Sequence, residues 1–239
     1  MSVAVENPVV ASADAHMREE TGLWRDAMRR FSKNKLAVAS LVVMIALILT
    51  AIFADVLAPA PYDFSNLLEA NQFPNSQHWL GTDTVGRDFL SRLIYGTRVS
   101  LIVGFSVQAI ALVIGVVLGT LAGMFGGWVD YVVMRWVEVL TAIPIWLFAL
   151  FLVSVWRATN ESQGGGLMNV IVAIGLIGWV DICRLTRAQL MSLRTKDYVL
   201  AAHAIGATSF QIARRHLLPN ALAPLIIAVT LGVPTAIFT

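Results

Sequence analysis

The stretch DYVLAAHAIGATSFQIARRHLLP, Asp197–Pro219, lies between two apolar runs that are each long enough to enter a membrane, yet it is polar enough to sit in water. Tyr198, Ala201, Ala202 and Ile205 recur at i, i+3, i+4 and i+7, which marks one face of a helix. Asp197 suits an N-cap and Gly206 a stop. A second short helix can start at Thr208, with Gln211 three residues on in a capping-box arrangement. Pro219 closes the segment, and the next apolar run begins there. The small residues Ala201, Ala202 and Gly206 let another surface approach the backbone, while Arg214 and Arg215 add charge at the rim. Two short helices joined at a glycine make a docking element, although the periodicity alone fits an ordinary polar loop between spans equally well.

Composition explains what flanks the stretch. Of 239 residues, 57% are apolar and 13% charged, against about a quarter charged in a soluble domain. The chain reads as an integral membrane protein. One cysteine, Cys183, excludes an internal disulfide, and the scattered His16, His78, His203 and His216 argue against a metal cluster.

Outward from the stretch, Leu167–Cys183 reads as the fourth span, continuing past the membrane through the helically spaced Asp181, Arg184, Arg187 and Arg194. Asn220–Thr239, containing Pro224 and Pro234, reads as the start of a fifth. Tyr131–Trp156 is the third, with Pro144 at mid-span to kink it. Arg135 and Glu138 lie one turn apart near its inner end, and ionisable groups at membrane depth are expected to pair and face the protein interior. Val99–Met124 is the second span. Its Gly115, Gly119 and Gly123 form a small-xxx-small packing face. Leu36–Val56 is the first, long enough at 1.5 Å per residue for a hydrocarbon core of roughly 30 Å. Residues 59–98 form an external loop whose Gly, Asp and Thr cluster reads as turns starting a helix near Arg87. Leu23–Phe31 fits either a surface amphipathic helix, through Leu23, Trp24, Ala27, Met28 and Phe31, or a flexible basic leader.

Lys and Arg number six in the leader and six over 184–218, against three in 59–98 and one in the turn Arg157–Gly166. That asymmetry places the N-terminus in the cytoplasm and the spans in an in–out–in–out–in order. The reading is all-α, a polytopic transmembrane helical bundle. It divides into a leader (1–35), a first helix (36–58), an external loop (59–98) and a core (99–239) that carries the loop 197–219. No G-x-x-x-x-G-K-[ST] phosphate loop and no nucleophile–base constellation occurs, so nucleotide hydrolysis is not expected in this chain.

The central stretch resembles the EAA coupling loop of bacterial ABC importer permeases: E-A-A, three residues, Gly, nine residues, a hydrophobic position, any residue, Leu-Pro. Ala201, Ala202, Gly206, Leu218 and Pro219 stand at the matching positions. Leu200 replaces the usual Glu, and His216 stands at the hydrophobic position. RHLLPNAL, Arg215–Leu222, is similar to the oligopeptide/dipeptide branch, where His is usual there. Gly81, Thr82, Asp83, Gly86, Arg87 and Asp88 also resemble the G-T-D-x-x-G-R-D of C-type permease subunits. In that light the external loop could meet a substrate-binding protein or, the favoured reading, pack over the outer helix ends. LWRDAMRRF, Leu23–Phe31, looks like oligopeptide permeases in particular.

The resemblance implies a permease of the bacterial inner membrane, not an enzyme. It would work with a second homologous permease, two ATPase subunits that hold ATP and Mg, an extracytoplasmic binding protein and membrane lipid, and without nucleic acid. It implies ATPase docking by Ala201, Ala202 and Gly206, with Tyr198 and Ile205 fixing the loop, and Leu200 removes any charged contact from that position. A further helix beyond Thr239 is expected. The implied cargo is an oligopeptide or dipeptide. Nickel, glutathione and oligosaccharide remain open within the same machine. A secondary transporter remains the rival of another class; it would want inverted repeats around a midplane site.

Overall fold

The computed structural model describes residues 23–159 and 166–238; residues 1–22, 160–165 and 239, which take in much of the leader and the third-to-fourth-span turn, lie outside the described residues. Among the described residues all regular elements are helical, apart from one isolated bridge between Thr82 and Asp88. Helix α1, Leu23–Lys33, leads into α2, Lys35–Ile52. Asn34 separates them and caps α2, its side-chain oxygen accepting from the Leu36 and Ala37 amides at 3.1 and 3.3 Å. The apolar α2 buries only Ala51 against the rest of the chain, so it is a peripheral span whose other faces suit lipid.

A short helix α3, Ala54–Leu57, leads into the loop 59–98, and α4 then runs Phe89–Phe125. It starts ten residues before the expected second span because Asp88 accepts the Ser91 amide at 2.7 Å and nucleates the helix outside the apolar run. At 37 residues and 1.5 Å per residue it is about 55 Å long, well beyond the hydrocarbon thickness.

Helix α7, Gly166–Leu193, packs along α4 on a seam of glycines. A Cβ on Gly115 would lie 2.7 Å from the Ile182 Cβ, one on Gly119 2.6 Å from the Cys183 carbonyl, and one on Gly123 3.0 Å from the Leu190 Cβ. Absence of side chains lets the backbones meet. The register also fixes direction. Gly115, Gly119 and Gly123 climb α4 in the order that Ile182, Thr186 and Leu190 climb α7, so these two helices are parallel. The last helix, α10, Leu218–Phe238, runs the other way: Gly104 faces Val233 and Ile237, whereas Gln108 faces Gly232. Alternating spans require this pattern.

The third span departs from expectation. It is two helices, α5, Gly127–Ala142, and α6, Ile145–Thr159, meeting at a bend of 91°. Pro144 breaks the segment where a kink was expected. Proline lacks the amide hydrogen and biases the residue before it away from helix, and Ile143 is extended (φ −99°, ψ 128°). The pair still carries the chain along α7: Thr141 meets Arg184, and Ala149 packs against the cluster of Val107, Ile171, Ile174 and Ala236.

Candidate coupling site

Helix α8, Asp197–Ala204, and helix α9, Ser209–Ile212, form the polar stretch between α7 and α10. Lys196 holds the N-cap position with no side-chain bond, so Asp197 is the first helical residue rather than the cap. There its carboxylate still favours the positive helix end. The other end is a Schellman turn. Gly206 adopts φ +87°, its amide donates to the His203 carbonyl at 3.0 Å, and the Ala207 amide donates to the Ala202 carbonyl at 3.0 Å. Thr208 and Gln211 complete a capping box at 2.9 and 3.3 Å. The glycine turn and the capping box therefore set the angle between the two helices.

The faces of α8 differ from the expected assignment. Val199 and Ala202 are buried, packed with Leu190, Ile212 and Leu217. Ala202 is thus a core contact and not part of a free docking surface. Ile205 is 86% exposed and fixes nothing inside this chain. Leu200, Ala201, Gly206 and Phe210 are also exposed, as are Arg214, Arg215 and Pro219, and Tyr198 is partly so, its ring 6.3 Å from that of His216. The helix is apolar nearly all round, so periodicity could not choose the inner face.

Beyond α9 the chain does not stop at Pro219. Ala213–Leu217 forms a wide π turn that runs directly into α10. The Leu218 amide reaches back five residues to the Ala213 carbonyl. The wider turn gives the proline ring room against the preceding carbonyls, and the Asn220 amide group donates to the His216 carbonyl at 2.6 Å. From α9 onward the stretch 197–219 is thus continuous in helical backbone with α10. Phe210, Gln211, Arg214 and Arg215 line a recess of ≈ 380 Å³ on its surface.

Arg135 donates to Glu138 at 2.8 Å and to the Tyr131 hydroxyl at 3.2 Å. Their side chains are 59% and 60% exposed, so the pair lies on the outer surface of this chain and not in its interior. The ion pair that ties helices together is one sequence reasoning missed: Arg187 on α7 holds Asp130 on α5 in a two-pronged contact, one prong 2.6 Å long. Its partners are 57 positions apart, so no local spacing announces them. Arg194 adds a bond to the Gly123 carbonyl at 3.3 Å.

In the segment 59–98 the motif residues serve their own loop. Asp83 accepts the Val85 and Arg87 amides at 2.9 Å each, the Arg87 guanidinium at 3.0 Å and that of Arg92 at 2.6 Å. The Arg87 amide bond leads these contacts in holding the Asp83 carboxyl down at about 2, below its ordinary 3.8. Asp88 is nearly buried. Desolvation opposes its charge, but bonds from Ser91 and from His78 at 2.9 Å outweigh it and leave its pKa lowered. Thr82 donates to the Glu69 carbonyl and accepts the Gln72 amide at 2.9 Å. Gly81 and Gly86 both take φ +76° against neighbouring backbone.

Comparison with known proteins agrees with this architecture. Residues 115–239 match the family described as "Binding-protein-dependent transport system inner membrane component". Residues 22–75 match the "N-terminal TM domain of oligopeptide transport permease C". The oligopeptide transport system permease protein OppC of Bacillus subtilis is 37% identical over 95% of this chain and 72% of its own length. The dipeptide transport system permease protein DppC of the same organism is 39% identical over 95% and 68%. The glutathione transport system permease protein GsiD of Pectobacterium atrosepticum is 35% identical over 90% and 70%. Among solved structures, the inward-facing MetNI methionine ABC transporter is similar with TM-score 0.53 and 25% identity, over 61% of this chain and 69% of that one. The chain belongs to the binding-protein-dependent transport system inner membrane component family: it is a multi-pass permease subunit of an ABC importer, a machine with separate ATPase and substrate-binding partners.

Proposed function

We propose that this subunit forms half of a translocation pathway for oligopeptides or dipeptides. The other half is a second, homologous permease, and two ATPase subunits dock below. The N-terminus is cytoplasmic, supported by the excess of Lys and Arg in the leader and in 184–218. The chain itself takes no nucleotide. The observation that carries the coupling part of the reading is the outward set Leu200, Ala201, Ile205, Gly206 and Phe210 on a loop otherwise anchored by Val199, Ala202, Ile212 and Leu217. Large apolar side chains exposed together on a water-facing loop suit a protein partner. Because π turn and α10 are continuous, a push on this loop moves the last span as a rigid body. The peptide cargo is supported by the relatives named for oligopeptide and dipeptide transport. Glutathione, itself a small peptide, is the second reading, favoured by the GsiD relative.

The test is uptake of labelled di-, tri- and pentapeptides, with glutathione and nickel alongside, in cells with and without this subunit. ATP depletion is compared with an uncoupler at held ATP. Peptide uptake that needs the subunit and follows ATP supports the reading. Loss of glutathione or nickel uptake alone changes the cargo, and uptake that follows the proton gradient overturns the coupling.

A further inference from the structure

Between α4, α7 and α10 lies a cavity of ≈ 370 Å³ whose lining includes Gln108, Gly178, Asp181 and Gly232. It sits within the spans. Asp181 is level with Gly115 of α4, whose Cβ position meets both Trp179 and Ile182, and ten residues at 1.5 Å rise put that level about 15 Å from the end of α4. Gln108 is 93% buried, with a relative exposure of 7%. Its amide lies against the Gly232 backbone, where a Cβ would come within 2.3 Å of its oxygen. Among the described residues neither end of that amide has a hydrogen-bond partner. Asp181 lines the cavity, is exposed, and likewise has no partner among the described residues. The nearest cations along its own helix are engaged elsewhere, Arg184 with Thr141 and Arg187 with Asp130.

An unpaired carboxylate and an unpartnered amide that opens on a cavity are groups of the kind that mark ligand or ion routes at membrane depth. A cavity of this size lies at the small end of the range for organic ligands and suits the end of a peptide. We propose that it is a subsite for the amino-terminal end of the cargo. The Asp181 carboxylate pairs with the ligand's ammonium, and the Gln108 amide, donor and acceptor at once, bonds the adjacent peptide group. Gly232 keeps the space in which that amide lies. This inference rests on the peptide reading above.

A reporter can be placed without disturbing the site. A Cβ on Gly178 would meet only the Ala111 Cβ at 3.7 Å, an ordinary contact, so Gly178→Cys in a Cys183→Ala background puts a thiol on the cavity wall. The whole transporter in proteoliposomes is treated with cationic aminoethyl and anionic sulfonatoethyl methanethiosulfonate. With Asp181 present the cationic reagent should be favoured about tenfold over its preference for a free thiol, as a carboxylate in a cleft concentrates cations. Asp181→Asn should abolish the preference. A tripeptide with a free amino end should slow labelling several-fold and its N-acetylated form should not; Gln108→Leu should weaken that protection while leaving the charge preference. Equal protection by both peptides, or a preference indifferent to Asp181→Asn, overturns the subsite. If cells take up no peptide through this subunit, the cargo reading fails. The Asp181-dependent charge preference is read independently of uptake.

Discussion

The two loops at opposite ends of the bundle are built on opposite plans. In the loop 59–98 the distinctive residues are polar and turned inward. Thr82, Asp83, Asp88 and Ser91 spend their hydrogen bonds on the loop itself. In the loop 197–219 the distinctive residues are small or apolar and several are turned outward, while shape comes from a glycine turn and a capping box. A motif whose functional groups are consumed internally is architecture. A motif whose side chains are left over, on a backbone that needs none of them, is a surface for something else.

Glycine substitutions separate the plans most sharply. A Cβ on Gly86 would sit 1.7 Å from the Asn66 carbonyl oxygen at φ +76°. Gly86→Val should therefore prevent the loop from forming and sharply reduce the amount of folded protein in membranes, as read by fluorescence-detected size exclusion. Gly206 has the same kind of backbone, φ +87°, but nothing within 4 Å of its Cβ position. Gly206→Val should leave folded protein nearly normal yet cut ATP-driven uptake at least about tenfold, because the left-handed penalty of roughly 1–2 kcal/mol reopens the turn. Gly206→Asn, which tolerates that conformation, should recover most of the uptake. If Gly206→Val transports normally, the coupling assignment is wrong.

Side-chain changes come next. Phe210→Ala and Ile205→Ala should each alter stability by less than about 0.5 kcal/mol, as exposed positions do, while weakening co-purification of the ATPase subunits. Ala202→Leu, only one helical step away from exposed Ala201, should instead destabilise by about 1–3 kcal/mol through overpacking. Thr82→Val in the loop 59–98 leaves the Gln72 amide and Glu69 carbonyl without their partner, at a cost of about 1–3 kcal/mol. It should raise protease sensitivity of that loop with unchanged ATPase association.

The smallest effect is in pH. Asp83 has its pKa lowered to about 2 from 3.8, so the charged form is favoured in the folded loop. Its contribution is complete above 3.8 and disappears as pH falls toward about 2. Limited proteolysis of the loop should be flat from neutral pH down to about 4 and rise below it, and Asp83→Asn should reduce the pH dependence to the part that Asp88 carries while raising cleavage throughout.

Much of this was legible in the sequence. Long apolar runs announced the spans, and Gly206 with Thr208–Gln211 announced the two-helix loop, because these signals are local. Three features were not. The inner face of α8 was ambiguous because DYVLAAHA is apolar on more than one side, and only Leu190 and Leu217, distant in the chain, decide that Val199 and Ala202 turn inward. The break at Pro144 depends on whether neighbours restore the helix, which a kink and a right-angle bend share equally at the level of one residue. Pairing of Arg187 with Asp130 required the α4–α7 register, whereas Arg135 and Glu138 found each other at one-turn spacing and remained on the surface.

The central claim is that the face of Ile205, not the face of Ala202, meets the ATPase. Single cysteines at the two positions, in a Cys183→Ala background and in the assembled transporter, would be treated with a short bifunctional maleimide. The account predicts an ATPase adduct from Ile205→Cys and none from Ala202→Cys, with the Ile205→Cys adduct changing in yield when ATP is added. An adduct from Ala202→Cys, or free alkylation of Ile205→Cys without any ATPase adduct, would contradict it.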